Sequence, residues 1–165
     1  MKNKGNTVGK TFSDLSDVDS AYISGFLDGD GSIIGSIEPH KEKKFGYRFR
    51  VIIKFSQQTG NISILHYIKK KIGVGYIRKG KEASEYVVKT QSDVYKLLLK
   101  LKPFVVLKSK QLELSLSFLK CNIVSKEDAI KVATLASQIS NLNLRSKSHR
   151  KHTLKSFLES VSRND

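Results

Sequence analysis

The sequence predicts an α+β fold with the order α-β-β-α-β-β-α and further helices behind it, and three observations carry that reading. The run Tyr47 to Ser56 alternates apolar and polar residues at the two-residue period of a half-buried strand. A second pair of short alternating runs flanks Lys79-Gly-Lys81, as in a hairpin. Between and after these runs, apolar residues recur at three- and four-residue spacing, the period of a helix.

The first helix starts at Ser16-Asp17-Val18-Asp19, a hydroxyl followed three residues later by a carboxylate. Wound at the helical period, Tyr22, Ile23, Phe26 and Leu27 form an apolar stripe expected to pack on the chain's own core. Ala21, Ser24, Gly25, Asp28 and Gly29 form a second stripe of small residues and one acid. Each glycine inside a helix costs about 1 kcal/mol against alanine. What such residues permit is close approach by another backbone, so a second helix is expected against this face. The helix ends in Asp28-Gly-Asp-Gly31, where carboxylates face the unfavourable end of the helix dipole. Two acids there, flanked by glycines, suggest a bound cation; taken alone, an Asp-Gly turn from helix to strand is the better account, and the close-packing face beside them tips the reading to the cation.

The first strand, Ser32 to His40, places Ile33, Gly35 and Ile37 on one side and Ser32, Ser36, Glu38 and His40 on the other, with Ile34 the exception. Lys41 to Gly46 is a charged connector. The second strand sends Tyr47, Phe49, Val51, Ile53 and Phe55 to the core and Arg48, Arg50, Ile52, Lys54 and Ser56 to the opposite face. A row of cations at two-residue steps suits phosphates or base edges, because a β-ribbon can enter the major groove; a solvated sheet face is the plainer alternative. Asn61 to Ile72 reads as a helix with Ile64, Leu65 and Ile68 inward, and Gly73-Val-Gly75 as the turn out of it. Tyr76 to Arg78 and Ser84 to Lys89 make the second hairpin. Ser92 is expected to cap a helix through Lys100 that Pro103 stops. Lys108 to Lys120, Lys126 to Leu142 and Thr153 to Val161 are further helices, with a basic connector at Arg145 to Lys151.

At 165 residues the chain is expected to be a single domain, with residues 1–15 as a flexible extension. Thirty Lys and Arg against fifteen Asp and Glu give a formal charge of +15. Lys43 to Lys81 holds eleven Lys and Arg and no acid, a field that favours a polyphosphate partner. No apolar run is long enough to span a bilayer, so no membrane partner is expected. The lone Cys121 excludes an intrachain disulfide framework and a cysteine zinc site. Met1 to Lys10 carries neither a signal core nor an arginine-rich amphipathic pattern, so synthesis in the compartment of use, without secretion, is expected.

Ile23-Ser-Gly-Phe-Leu-Asp-Gly-Asp-Gly31 closely resembles the LAGLIDADG motif of homing endonucleases. The likeness extends from about Asp17 to the C-terminal helix and is nearest to the short, single-motif members that act as homodimers. It implies two hairpins forming a saddle-shaped antiparallel sheet on DNA, with the motif helices of two subunits pressed together along Ala21, Ser24, Gly25, Asp28 and Gly29. It implies that Asp30, with the Gly29 carbonyl, binds a catalytic Mg²⁺, for which Mn²⁺ can substitute and which Ca²⁺ replaces without supporting cleavage. By the same resemblance, Gln57 contacts an active-site water and Lys108, in Pro103-Phe-Val-Val-Leu-Lys108, is the catalytic lysine, with Lys110 close by. Near Asn61 similar enzymes often carry a basic residue, so this chain departs from the pattern there.

The implied reaction is metal-dependent hydrolysis of both strands of a long pseudo-palindromic duplex, leaving 3′ overhangs, by an intron-encoded enzyme of an organelle or a prokaryotic cytoplasm. No small-molecule substrate is expected. The polar sheet face supplies Ser32, Ile34, Ser36, Glu38, His40, Arg48, Arg50, Lys54, Ser56, Arg78 and Glu85 to the DNA, with arginines suited to guanine and the acids to cytosine. Lys43, Lys44, Lys79, Lys81, Lys147, Arg150 and Lys151 are expected on phosphates. A non-cleaving DNA-binding regulator or an intron RNA maturase would use the same basic sheet. The joint presence of Asp30, Gln57 and Lys108 favours the nuclease, since binding alone needs none of them.

Overall fold

The computed structural model describes residues 15–143 and 152–162. Residues 1–14 and the expected phosphate contacts Lys147, Arg150 and Lys151 lie outside the described residues.

Helix α1 (Asp17–Asp30) runs directly into β1 (Gly31–Pro39), and β2 (Tyr47–Gln58) folds back along it. After one 3₁₀ turn come α2 (Ser63–Ile72), β3 (Tyr76–Arg78), β4 (Ala83–Val88) and α3 (Gln91–Leu101). Three helices follow: α4 (Ser109–Lys120), α5 (Lys126–Asn141) and α6 (Leu154–Ser162). The two hairpins join into one antiparallel sheet in the order β1-β2-β4-β3. The expected α-β-β-α-β-β-α order is therefore the observed one.

Alternation decides which sheet face is covered. Register pairs Ile33 with Ile53, Ile37 with Phe49 and Phe55 with Tyr86. Buried residues of this set meet Ile23 and Leu27 of α1, Leu97, Leu98 and Leu101 of α3, and Val132 and Ala136 of α5 in one continuous core. All helices that touch the sheet at length thus leave the other face to solvent and to partners. Among the described residues no helix is long and apolar enough to cross a membrane.

Side chains complete the exposed edges of the sheet. On β1, Ser140 Oγ donates to the Gly35 carbonyl at 2.6 Å and Asn143 Nδ2 to the Ile33 carbonyl at 2.8 Å. Gly35 has to be small: a Cβ there would lie 2.2 Å from the Ala136 carbonyl oxygen. On β2, where β4 stops pairing, the Gln91 amide accepts from Val51 N at 2.8 Å and donates to Val51 O at 2.9 Å. Both devices keep edge hydrogen-bonding groups from standing open to another strand.

Two expectations about helices need correction. Ser92 does not cap α3, which begins one residue earlier at Gln91 with Thr90 flanking it, because Gln91 is held by the strand edge. In α1 the buried face is Ser20, Ile23, Ser24 and Leu27, rotated from the expected apolar stripe, and Tyr22 is half exposed. Ser24 is fully buried and donates to the Leu101 carbonyl at 3.3 Å, so it packs against α3 inside the chain and not in an interface between subunits. A serine with its hydroxyl satisfied takes less room than leucine and lets α3 come close.

Candidate active site and nucleic-acid interface

The two acids that end α1 do different things. The Asp28 carboxylate accepts from the backbone N–H groups of Val106 at 2.8 Å, Leu107 at 3.0 Å and Lys108 at 3.0 Å. Three amides converging on one carboxylate, at the segment that leads into α4, relieve the acid of the unfavourable dipole of its own helix. Asp28 was expected in the subunit interface; its carboxylate is instead turned onto this segment of its own chain. The anchor fixes Lys108, whose Nζ donates to the Asp28 carbonyl at 2.5 Å. Lys108 is buried, and burial holds its ammonium below the usual lysine range while the charges of Asp28 and Asp30 pull it back up.

Asp30 is exposed at the end of α1, and Gln57 Nε2 of β2 reaches its Oδ2 at a long 3.5 Å. Asp30, Gln57 and Lys108, which are far apart in sequence, are thus assembled around one helix end. Lys110 is exposed on the first turn of α4. Among the described residues the Asp30 carboxylate accepts only that long bond, and a carboxylate beside a backbone carbonyl is a hard oxygen donor set that fits Mg²⁺ or Ca²⁺. Among the described residues no group of three or more His, Cys, Asp and Glu gathers that could hold a metal ion.

The open sheet face carries the expected cations in register. Ser32 lies opposite Lys54, Ser36 opposite Arg50 and Glu38 opposite Arg48; Ser56, Glu85 and Arg78 form a row across three strands. Neither acid of this face stands alone. Glu38 binds Arg50 and accepts from Ser36 Oγ at 2.6 Å, and Glu85 binds Arg78 and Lys54, the latter at 3.4 Å. Both acids are therefore paired with neighbouring cations in the unbound protein. Arg48 pairs with His40. Lys44 donates to the Val124 carbonyl at 2.7 Å, whereas Lys43, Lys79 and Lys81 are exposed around the hairpin ends. The sequence reading left out Tyr76, which has the same strand parity as Arg78 and lies under the Lys89 ammonium, 5.0 Å from the ring centre.

The outer face of α1 is open. A Cβ on Gly25 or Gly29 would meet nothing within 4 Å among the described residues, so no contact there requires glycine at either place. Val18, Ala21 and Tyr22 are exposed on the same helix, and Val106 and Leu107, 80% and 74% exposed, sit on the segment that Asp28 anchors. Large apolar side chains held this far out of the core mark a contact surface. Val106 and Leu107 were not expected there. Their signal, two branched apolar residues after Pro103, was read only as part of the approach to Lys108.

A family model described as LAGLIDADG endonuclease matches residues 23–120, more than half of the chain. The chain belongs to the LAGLIDADG endonuclease family. It is 32% identical over 145 residues to DNA endonuclease I-CreI of Chlamydomonas reinhardtii, an alignment covering 86% of this chain and 89% of that one. It is 34% identical over 101 residues to DNA endonuclease I-CvuI of Chlorella vulgaris, covering 61% and 63%. A crystal structure of I-CvuI superposes with a TM-score of 0.83 at 28% identity, covering 93% of this chain and 97% of that one. It holds the I-CreI target with Mg²⁺ present and the DNA not cleaved; a second I-CvuI structure holds its own target with Ca²⁺ present. In LAGLIDADG terms, α1 is the motif helix, and the antiparallel sheet beside it belongs to an α+β fold shared with these relatives.

Proposed function

We propose that this LAGLIDADG protein is a site-specific homing endonuclease that cuts both strands of duplex DNA as a homodimer. The observation that carries this reading is the gathering of Asp30, Gln57 and Lys108 beside the open face of α1 and at the end of the cation-lined sheet. Two copies packed along Ala21, Gly25 and Gly29, with Val106 and Leu107 at the flank, bring two Asp30 carboxylates to a two-fold axis, one for each strand. The target is then long and pseudo-palindromic.

Asp30 and the Gly29 carbonyl would hold Mg²⁺ or Mn²⁺, with Ca²⁺ supporting binding and not cleavage. Such an ion, when bound, supplies positive charge to the scissile phosphate and lowers the pKa of a water. Gln57 donates to the Asp30 carboxylate, its amide oxygen accepts from Gln58 N at 2.9 Å, and its second amide hydrogen is left for solvent. Lys108 places an ammonium, fixed by the Asp28 carbonyl, where negative charge develops on the phosphate. The sheet face reads the target through Arg48, Arg50, Lys54 and Arg78, while Lys43, Lys79 and Lys81 hold phosphates. The family resemblance adds 3′ overhangs and an organellar or prokaryotic setting. Asn61, neutral where relatives are often basic, is expected to slow the chemistry without changing its course.

The test is selection of a preferred duplex from a randomised library in Ca²⁺, followed by transfer of the complex to Mg²⁺. Cleavage of both strands of the selected duplex at fixed positions is expected. A selected duplex that stays intact would leave a DNA-binding regulator, and no selection at all would turn attention to structured RNA.

A further inference from the structure

We infer that Glu38 is a positioning residue for Arg50 and sets the base preference of its part of the sheet without reading a base itself. This rests on the open sheet face being the DNA interface. The cation directly across the strands from Glu38 is Arg48, yet the carboxylate takes Arg50, two residues further along β2. Arg48 goes to His40 by a parallel diagonal. Each arginine of this row is thereby committed to one partner, Arg50 to Glu38 on β1 and Arg48 to His40 just beyond its end. The other Glu38 oxygen accepts from Ser36 Oγ at 2.6 Å, and Ser36 is the residue directly opposite Arg50. Ser36, Glu38 and Arg50 make a closed cluster across the two strands.

What this does to the guanidinium follows from its donors. Glu38 takes Nη2, while Nε is enclosed and has no partner among the described residues. The terminal donors not spent on Glu38 remain, and these are the fork that meets the O6 and N7 edge of guanine. A guanidinium fixed in advance loses little freedom on meeting that edge, whereas one displaced by a wrong base must leave its carboxylate. The acid also opposes capture of Arg50 by a passing phosphate, since the two anions repel. Burial alone would raise the Glu38 carboxyl, but Ser36 and Arg50 outweigh it and hold the group below the usual carboxylate range. It stays charged at neutral pH and keeps its hold. Removing the charge at Glu38 is therefore expected to tighten binding to unrelated DNA and to weaken discrimination at one position of each half-site.

The experiment measures affinities in Ca²⁺ for the selected duplex, for every single base-pair substitution in it, and for an unrelated duplex. The proteins are the wild type, Glu38→Gln, Ser36→Ala, Arg50→Ala and Glu38→Gln combined with Arg50→Ala, each checked for an unchanged thermal melt. Discrimination of about tenfold is expected at the base pair that Arg50 reads. Arg50→Ala removes it. Glu38→Gln removes most of it and binds the unrelated duplex more tightly, Ser36→Ala does so more weakly, and the double variant matches Arg50→Ala. The inference is overturned if Glu38→Gln keeps the full preference at that base pair. It is equally overturned if Glu38→Gln loses preference at a different pair, which would make Glu38 a reader, or if affinity falls evenly everywhere. In all three cases the nuclease reading survives. Failure of the wild type to prefer any duplex defeats both.

Discussion

Asp28 and Asp30 share one helix end, yet one anchors and the other is left available. Asp28 spends its carboxylate on three amides and its carbonyl on Lys108, and so builds the platform on which the lysine stands. Lys108→Met is accordingly expected to lower kcat by about 100-fold with binding in Ca²⁺ retained, measured by single-turnover cleavage. The lowered pKa of Lys108 adds a sign. Below the folded value the lysine is charged in both folded and unfolded chains. Between the folded and the unfolded value the unfolded chain binds more protons, so stability rises with pH there. Activity is expected to show the opposite trend, because the ammonium is lost in that same window. An alkaline fall in kcat that starts below the ordinary lysine range, and is absent in Lys108→Met, is the expected profile. The sequence placed Asp30, Gln57 and Lys108 because the motif and two short segments carry them. It did not show what Asp28 or Glu38 would bind. Strand parity gives the face of a residue, while its diagonal partner depends on rotamers that sequence spacing does not encode.

Among the elements, α1 shows where a one-dimensional pattern runs out. Its polar and apolar positions were legible, but the face that turned inward includes two serines whose hydroxyls are satisfied, Ser20 on the Ser16 carbonyl at 2.8 Å and Ser24 on α3. Hydropathy alone cannot distinguish such serines from solvent-facing ones. The four strands lie within two residues of their expected bounds, and alternation over Tyr47 to Ser56 leaves one register that buries the apolar set. The contact of α5 with β1 makes a sharp prediction. Gly35→Ala drives a Cβ into the backbone of α5 and is expected to destabilise the fold by about 1–3 kcal/mol, read by urea denaturation. Ser125 caps α5 in a reciprocal box with Asp128, and Ser125→Ala is expected to cost about 1 kcal/mol in the same assay.

At the scale of the whole molecule, the proposed homodimer would join the open face of α1 and the basic sheet in one assembly. A Cβ at Gly25 meets nothing within 4 Å among the described residues, so Gly25→Leu is expected to leave the monomeric fold intact while sedimentation shows loss of the dimer. With the dimer gone, specific binding to a two-half-site duplex should go as well. The formal charge of +15 makes affinity fall steeply with added salt, and Lys79→Ala together with Lys81→Ala should flatten that slope by about one phosphate contact each. The central claim is that Asp30 performs chemistry at a site that binding alone does not need. It is tested most directly by comparing the wild type with Asp30→Asn on the selected duplex, at equal bound fraction, before and after Mg²⁺ is supplied. The wild type is expected to cut both strands, and Asp30→Asn to remain bound to intact DNA. Cleavage by Asp30→Asn at the wild-type rate would contradict it.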